Sequence, residues 1–186
     1  AERNLSDSIA GQPRDDDRDQ NGEPDRLRSQ ADGEDGKYVR APEGGRGQGS
    51  YIDGPRRNFA GGAGLLSTAR DYARFLEAMR KGGSLDGTRI LSPLAVRLMS
   101  TNQVGELHSA TGLGWGLGFE TVDRFGANGM SGEGAFGWGG AYGSLYRVDP
   151  EARLVMSLMI QLIPNATDVR EVFPTLVYQA LPWAPS

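Results

Sequence analysis

Thirteen of the 28 glycines fall between residues 105 and 143. That density rules out a long helix there, because glycine loses more backbone entropy on ordering than any other residue. What can form instead is a set of short strands joined by tight turns. The spacing of apolar residues predicts strands near 115–122 and 134–139. A hairpin should follow, pairing 142–148 with 154–162 across the turn Asp149-Pro150-Glu151-Ala152-Arg153. Val155-Met156-Ser157-Leu158-Met159-Ile160 is nearly continuous apolar sequence, the pattern of a strand covered on both faces.

Helices should flank this sheet. One begins after Ser67-Thr68, where Thr68 and Asp71 have the spacing of a capping box. Tyr72, Phe75, Leu76 and Met79 make its apolar face, and Gly82 stops it. A second starts at Ser92, with Pro93 in its first turn and Val96 and Met99 inward. A third runs from about Thr167 to Ala180, with Val169, Val172, Phe173, Leu176 and Val177 as its apolar face and Pro174 bending or splitting it. The fold class is therefore α+β, an antiparallel sheet flanked by helices.

Charge is uneven. The first fifty residues hold 12 of the 24 acidic side chains and 8 of the 20 basic ones, so the net charge of −4 lies in this leader. Residues 1–37 read as a polar leader, disordered or loosely draped. Residues 38–186 read as the folded portion. Residues 51–186 carry 12 acidic and 12 basic side chains, a neutral balance that gives no case for nucleic acid or an anionic membrane, and no apolar run approaches the ~20 residues of a membrane helix. No cysteine and one histidine, His108, leave too few ligands for a typical zinc site. No metal or cofactor is expected. The sequence fits a soluble protein, cytoplasmic or periplasmic. His108 reads as an exposed loop residue. Gly129-Met130-Ser131-Gly132-Glu133 fails the Gly-x-Ser-x-Gly elbow at its last position, and the glycine clusters match no nucleotide loop.

The segment richest in chemistry is Gly137-Trp138-Gly139-Gly140-Ala141-Tyr142-Gly143-Ser144. Glycines on a strand edge let a ligand approach the backbone, and bare N–H groups there can receive negative charge developing on a carbonyl oxygen. This segment resembles the third active-site motif of the serine β-lactamase-like hydrolases. These comprise class C β-lactamases, DD-peptidases and family VIII carboxylesterases. The β-lactamases carry Lys-Thr-Gly on this strand, and the esterase branch often carries Trp-Gly-Gly, as at Trp138-Gly139-Gly140. Three further blocks fit in order: Ala60 to Phe75, Gly82 to Met99, and Gly112-Leu113-Gly114-Trp115-Gly116-Leu117-Gly118-Phe119. The likeness covers roughly residues 38 to 181.

The resemblance implies a β-lactamase/transpeptidase-like fold and acyl transfer through an acyl-enzyme. It implies Trp138, Gly139 and Gly140 as substrate-binding residues and the N–H of Ala141 as one oxyanion-hole donor. Trp138 stands where the lysine of Lys-Thr-Gly would be. That removes a cation that helps bind a β-lactam carboxylate, and favours a neutral ester. Pro164-Asn165 matches a place where class C enzymes set an asparagine near the substrate carboxylate; a helix cap explains Asn165 equally well.

The family's Ser-x-x-Lys and Tyr-x-Asn motifs do not occur in this sequence. Ser67-Thr68-Ala69-Arg70 has the first spacing but ends in arginine, which stays protonated and cannot act as a base. The chain is expected to be the C-terminal portion of a carboxylesterase that hydrolyses small-molecule esters. It would pair with the N-terminal half of the same enzyme or with a second copy of itself. The alternatives are a non-catalytic binding module of the same fold and a parent with β-lactamase or DD-peptidase activity.

Overall fold

The computed structural model describes residues 65–108, 112–162, 165 and 167–182. The polar leader lies outside them. The chain divides into two compact units, 1–68 with 161–165 and 69–160 with 166–186. Nearly all described residues belong to the second.

Helix α1 spans Ala69–Arg80 and buries Leu76, Ala78 and Met79. Its end is chemically specified. Gly82 has φ +73°, its N–H bonds to Met79 O at 3.0 Å, and the Gly83 N–H bonds to Ala78 O at 2.7 Å. That pair of bonds around a left-handed glycine is the Schellman motif. Strands β1 (Ser84–Leu85) and β2 (Thr88–Arg89) follow as a minimal antiparallel hairpin. Its two turn residues, Asp86 and Gly87, have φ of 49° and 80°, as a type I′ turn requires. Helix α2 (Pro93–Met99) is capped by Ser92, whose hydroxyl accepts from Ala95 N at 3.1 Å.

Five antiparallel strands form the main sheet in the order β3-β4-β5-β6-β7: Leu113–Trp115, Glu120–Val122, Phe136–Gly139, Gly143–Asp149 and Leu154–Gln161. Helix α3 (Val169–Gln179) closes the described chain. One core joins Leu76, Met79, Val96, Phe119, Phe136 and Val148, with Tyr72 and Tyr146 packed against it. A second joins Ala152, Met156 and Tyr178. The architecture is α+β, as the sequence led us to expect.

Three local expectations change. Residues 115–122 are not one strand. The chain turns at Gly116–Phe119, with Gly116 N bonded to Phe119 O at 2.8 Å and Gly118 at φ +90°, so β3 and β4 pair with each other. Strand β7 is not covered on both faces: only Met156 is buried, and Met159 is 41% exposed. The reason is position, since β7 is the last strand of the sheet among the described residues. In α3, Val172 and Leu176 face outward, while Pro174 and Tyr178 are buried. The Tyr178 hydroxyl bonds to the buried Asp149 carboxylate at 2.7 Å, and this fixes which stripe of the helix turns inward. Pro174 does not split the helix.

Tyr72, Tyr146 and Tyr178 all have phenol pKa values pushed above the ordinary 10.0, chiefly by burial. A raised folded-state pKa contributes stability that is complete below the unfolded value and lost as pH rises through the folded one. The urea midpoint is therefore expected to fall between pH 9 and pH 11. A midpoint constant across that window would contradict the assignment.

Among the described residues, no helix is long and apolar enough to cross a membrane. No group of three or more His, Cys, Asp or Glu side chains there could hold a metal ion.

Candidate functional site

Strand β5 is held differently on its two sides. Its pairing with β4 ends at Gly137, opposite Glu120. Its pairing with β6 continues through Trp138–Tyr146 to Gly139–Leu145. The last two residues of β5 therefore run past β4. Beyond the strand, Gly140 N donates to Ser144 O at 2.7 Å. Hydrogen-bonded and non-bonded pairs alternate in an antiparallel ladder, so the N–H and C=O of Gly139 point away from β6, toward the open side. Ala141 is exposed at the hairpin tip, where Gly143 N closes a turn onto Gly140 O at 3.1 Å.

Trp138 is 46% exposed. Its ring meets that of Trp115 with centroids 4.3 Å apart and planes at 88°. His108 lies edge-on to the other end of this stack, 5.9 Å from Trp115. Its Nε2 is 3.9 Å from Glu120 Oε2, an ion pair only when the imidazole is protonated. His108 is exposed, as expected, yet it borders the aromatic cluster.

Arg170, in the first turn of α3, brings a cation to this strand. A Cβ built on Gly139 would run into the Arg170 guanidinium. At Gly137 a Cβ would strike Tyr146 O, so that glycine is required by the close passage of β6. Arg147, the cross-strand partner of Gly137, donates to Ser131 Oγ at 2.7 Å and lies 3.5 Å from Asn128 O. Burial lowers the pKa of this guanidinium, and Tyr178, Glu120 and Asp149 nearby oppose that shift.

These surroundings limit the chemistry. Ser131 is fully buried beneath Arg147. The Ser144 hydroxyl donates to Ile160 O at 3.0 Å, between β6 and β7. Tyr146, beside Trp138, shares a phenol hydrogen bond with Tyr72, and burial raises both pKa values. Neither phenol is poised as a base near neutral pH. The N-cap of α3 is Asp168, not Asn165, so the capping role weighed for Asn165 does not hold. A shallow cleft of about 390 Å³ between α1, β1 and β7 is lined by residues such as Arg74, Glu77 and Val155. It includes none of Trp138, Gly139, Gly140, Ala141 and Asn165.

The family model described as Beta-lactamase matches residues 4–178. The chain belongs to the Beta-lactamase family. Among curated proteins it is similar to "Uncharacterized protein MT1414" and "Protein Rv1367c" of two Mycobacterium tuberculosis strains. Each is 38% identical over 120 residues, covering 56% of this chain and 29% of the relative. The matched region thus spans under a third of those relatives' length. Among solved structures it is similar to "EstCE1, a hydrolase with promiscuous acyltransferase activity", with a TM-score of 0.55 and 26% identity over 66% of this chain and 32% of that one. It is also similar to a penicillin-binding protein homolog from Caulobacter crescentus, with a TM-score of 0.50 and 26% identity over 62% and 32% of the two chains.

The sequence reading overlooked Trp115 and Arg170. Trp115 could have been found, because Gly114-Trp115-Gly116 repeats the Gly137-Trp138-Gly139 pattern. Nothing local marks Arg170, which reaches β5 only through packing of α3.

Proposed function

We propose that this chain supplies the carbonyl-binding strand of a serine carboxylesterase acting on small esters. The observation that carries the reading is the free edge of β5 at Gly139, next to the half-exposed Trp138. Preorganised N–H groups aimed at a carbonyl oxygen stabilise the charge it gains when attacked. The serine, lysine and tyrosine of the reaction come from a polypeptide carrying Ser-x-x-Lys, either the N-terminal half of the enzyme or another partner. The serine Oγ attacks the ester carbonyl carbon, and the alcohol leaves with a proton. Water then cleaves the acyl-enzyme, releasing the acid and restoring the serine. The oxyanion is held on the edge at Gly139–Ala141, with Trp138 and Gly140 beside the substrate.

Arg170 favours a second reading. A guanidinium beside Gly139 suits a carboxylate-bearing substrate, as in a β-lactamase or DD-peptidase parent. The absent motifs favour a third, a binding module without catalysis. Rates of the completed enzyme on p-nitrophenyl butyrate and on the cephalosporin nitrocefin separate all three. Ester hydrolysis is expected to dominate by at least about tenfold in kcat/KM, the equivalent of ~1.4 kcal/mol. Dominant nitrocefin turnover supports the second reading, and no turnover of either substrate supports the third.

Indole does not titrate usefully. Trp138→Ala is therefore expected to change the acyl chain-length preference and leave the pH–rate profile in place. A shifted pH profile with unchanged preference would argue for a role in proton transfer instead.

A further inference from the structure

Two Gly-Trp-Gly units meet at one end of the sheet, Gly114-Trp115-Gly116 on β3 and Gly137-Trp138-Gly139 on β5. Their rings stand at 88° with centroids 4.3 Å apart. The backbone around each ring is locked. A Cβ at Gly114 would meet the side chains of Asn102 and Asp123, and one at Gly116 would meet Met99 O. Trp115 O accepts from Gln103 N at 2.8 Å. On β5 the same constraint comes from Tyr146 O and Arg170.

Two perpendicular rings form an inside corner, and nearly half of Trp138 is open to solvent. Among the described residues neither indole N–H has a hydrogen-bond acceptor, which leaves both as donors.

We propose that Trp115 and Trp138 together bind the planar ring of an aromatic substrate, an aryl acyl or aryl alcohol group. This deepens the esterase reading and rests on it. A flat ring can stack offset on one indole while presenting its edge to the other, and both arrangements are favourable for aromatic pairs. A linear alkyl chain gains neither. One residue along the strand from Trp138, about 3.3 Å away, is Gly139 with its open N–H. In the proposed complex the ester carbonyl lies toward Gly139, whose N–H points away from β6. Trp115 is then a specificity-determining residue that sequence comparison with Lys-Thr-Gly strands does not point to.

Binding can be read without turnover. The 186-residue chain is titrated with methyl benzoate and with methyl hexanoate, followed by tryptophan fluorescence and by saturation-transfer NMR. Methyl benzoate is expected to bind about tenfold more tightly. Trp115→Leu should abolish that preference, and Trp115→Phe should keep part of it; Trp138→Phe serves as the second variant if Trp115→Leu does not fold. Equal binding of the two esters, no binding of either up to solubility, or a preference that survives Trp115→Leu overturns the proposal. Loss of esterase activity in the completed enzyme with aryl binding intact would overturn the hydrolase reading and leave the ring site standing.

Discussion

Asp149→Ala is expected to cost about 3 kcal/mol of folding stability. Asp149 is fully buried. One carboxylate oxygen accepts from Gly132 N at 2.9 Å and from the Tyr178 hydroxyl at 2.7 Å, and the other accepts from Ala152 N at 2.9 Å. Three elements meet at this group: the loop before β5, the turn after β6, and α3. Alanine leaves three donors without their acceptor in a site closed to water, and each unmade bond costs about 1–3 kcal/mol. Local relaxation and water entry recover part of the sum. For a chain of this size the loss corresponds to a drop in Tm of roughly 6–12 °C. Asp149→Asn keeps one acceptor oxygen and should fall between alanine and the parent. Urea unfolding of the three proteins measures the series. A cost for alanine below about 1 kcal/mol would mean that the network is not what holds α3 to the sheet.

The second large effect is catalytic silence. Assayed alone, the 186 residues are expected to hydrolyse p-nitrophenyl butyrate at the rate of buffer. Loss of an activated nucleophile typically lowers kcat by about 10⁶, and Ser67, Ser131 and Ser144 do not have the surroundings of one. Ser67 is followed three residues on by Arg70, not lysine. Ser131 is buried beneath Arg147, and the Ser144 hydroxyl is bound to Ile160 O. A fluorophosphonate should leave the intact mass of the chain unchanged. Saturable turnover abolished by that reagent, with an adduct on a serine of this chain, would show that a nucleophile was overlooked.

Much of this fold was legible because periodicity and punctuation agreed. Tyr72, Phe75, Leu76 and Met79 marked α1, and Gly82 ended it at a left-handed position. Ser92-Pro93 marked α2. The hairpin of β6 and β7 followed from its alternating and apolar runs. The misreadings were of two kinds. Asp86-Gly87 is a strong hairpin signal, but strands of two residues carry no periodicity to draw attention to it. The inward stripe of α3 was misread because tertiary contact decided it: the Asp149–Tyr178 bond outweighed the apolar count of Val172 and Leu176. Strand β7 was misjudged because an apolar run reports what a strand prefers to bury, not what lies beside it.

For the site, the Trp-Gly-Gly pattern drew attention to the end of β5. It could not reveal that β4 stops at Gly137 and leaves Gly139 unpaired on one side. That is a matter of register between segments about seventeen residues apart. Asn165 was weighed as a cap, and the cap proved to be Asp168.

The most direct test of the central claim is a crystal structure of the completed enzyme carrying a phosphonate adduct on its nucleophilic serine. The phosphonyl oxygen stands in for the oxyanion of the tetrahedral intermediate. It is expected to lie about 2.7–3.1 Å from a backbone N–H on the edge at Gly139–Ala141, with the ligand against Trp138. A phosphonyl oxygen bound elsewhere, with this edge facing only water, would contradict the account.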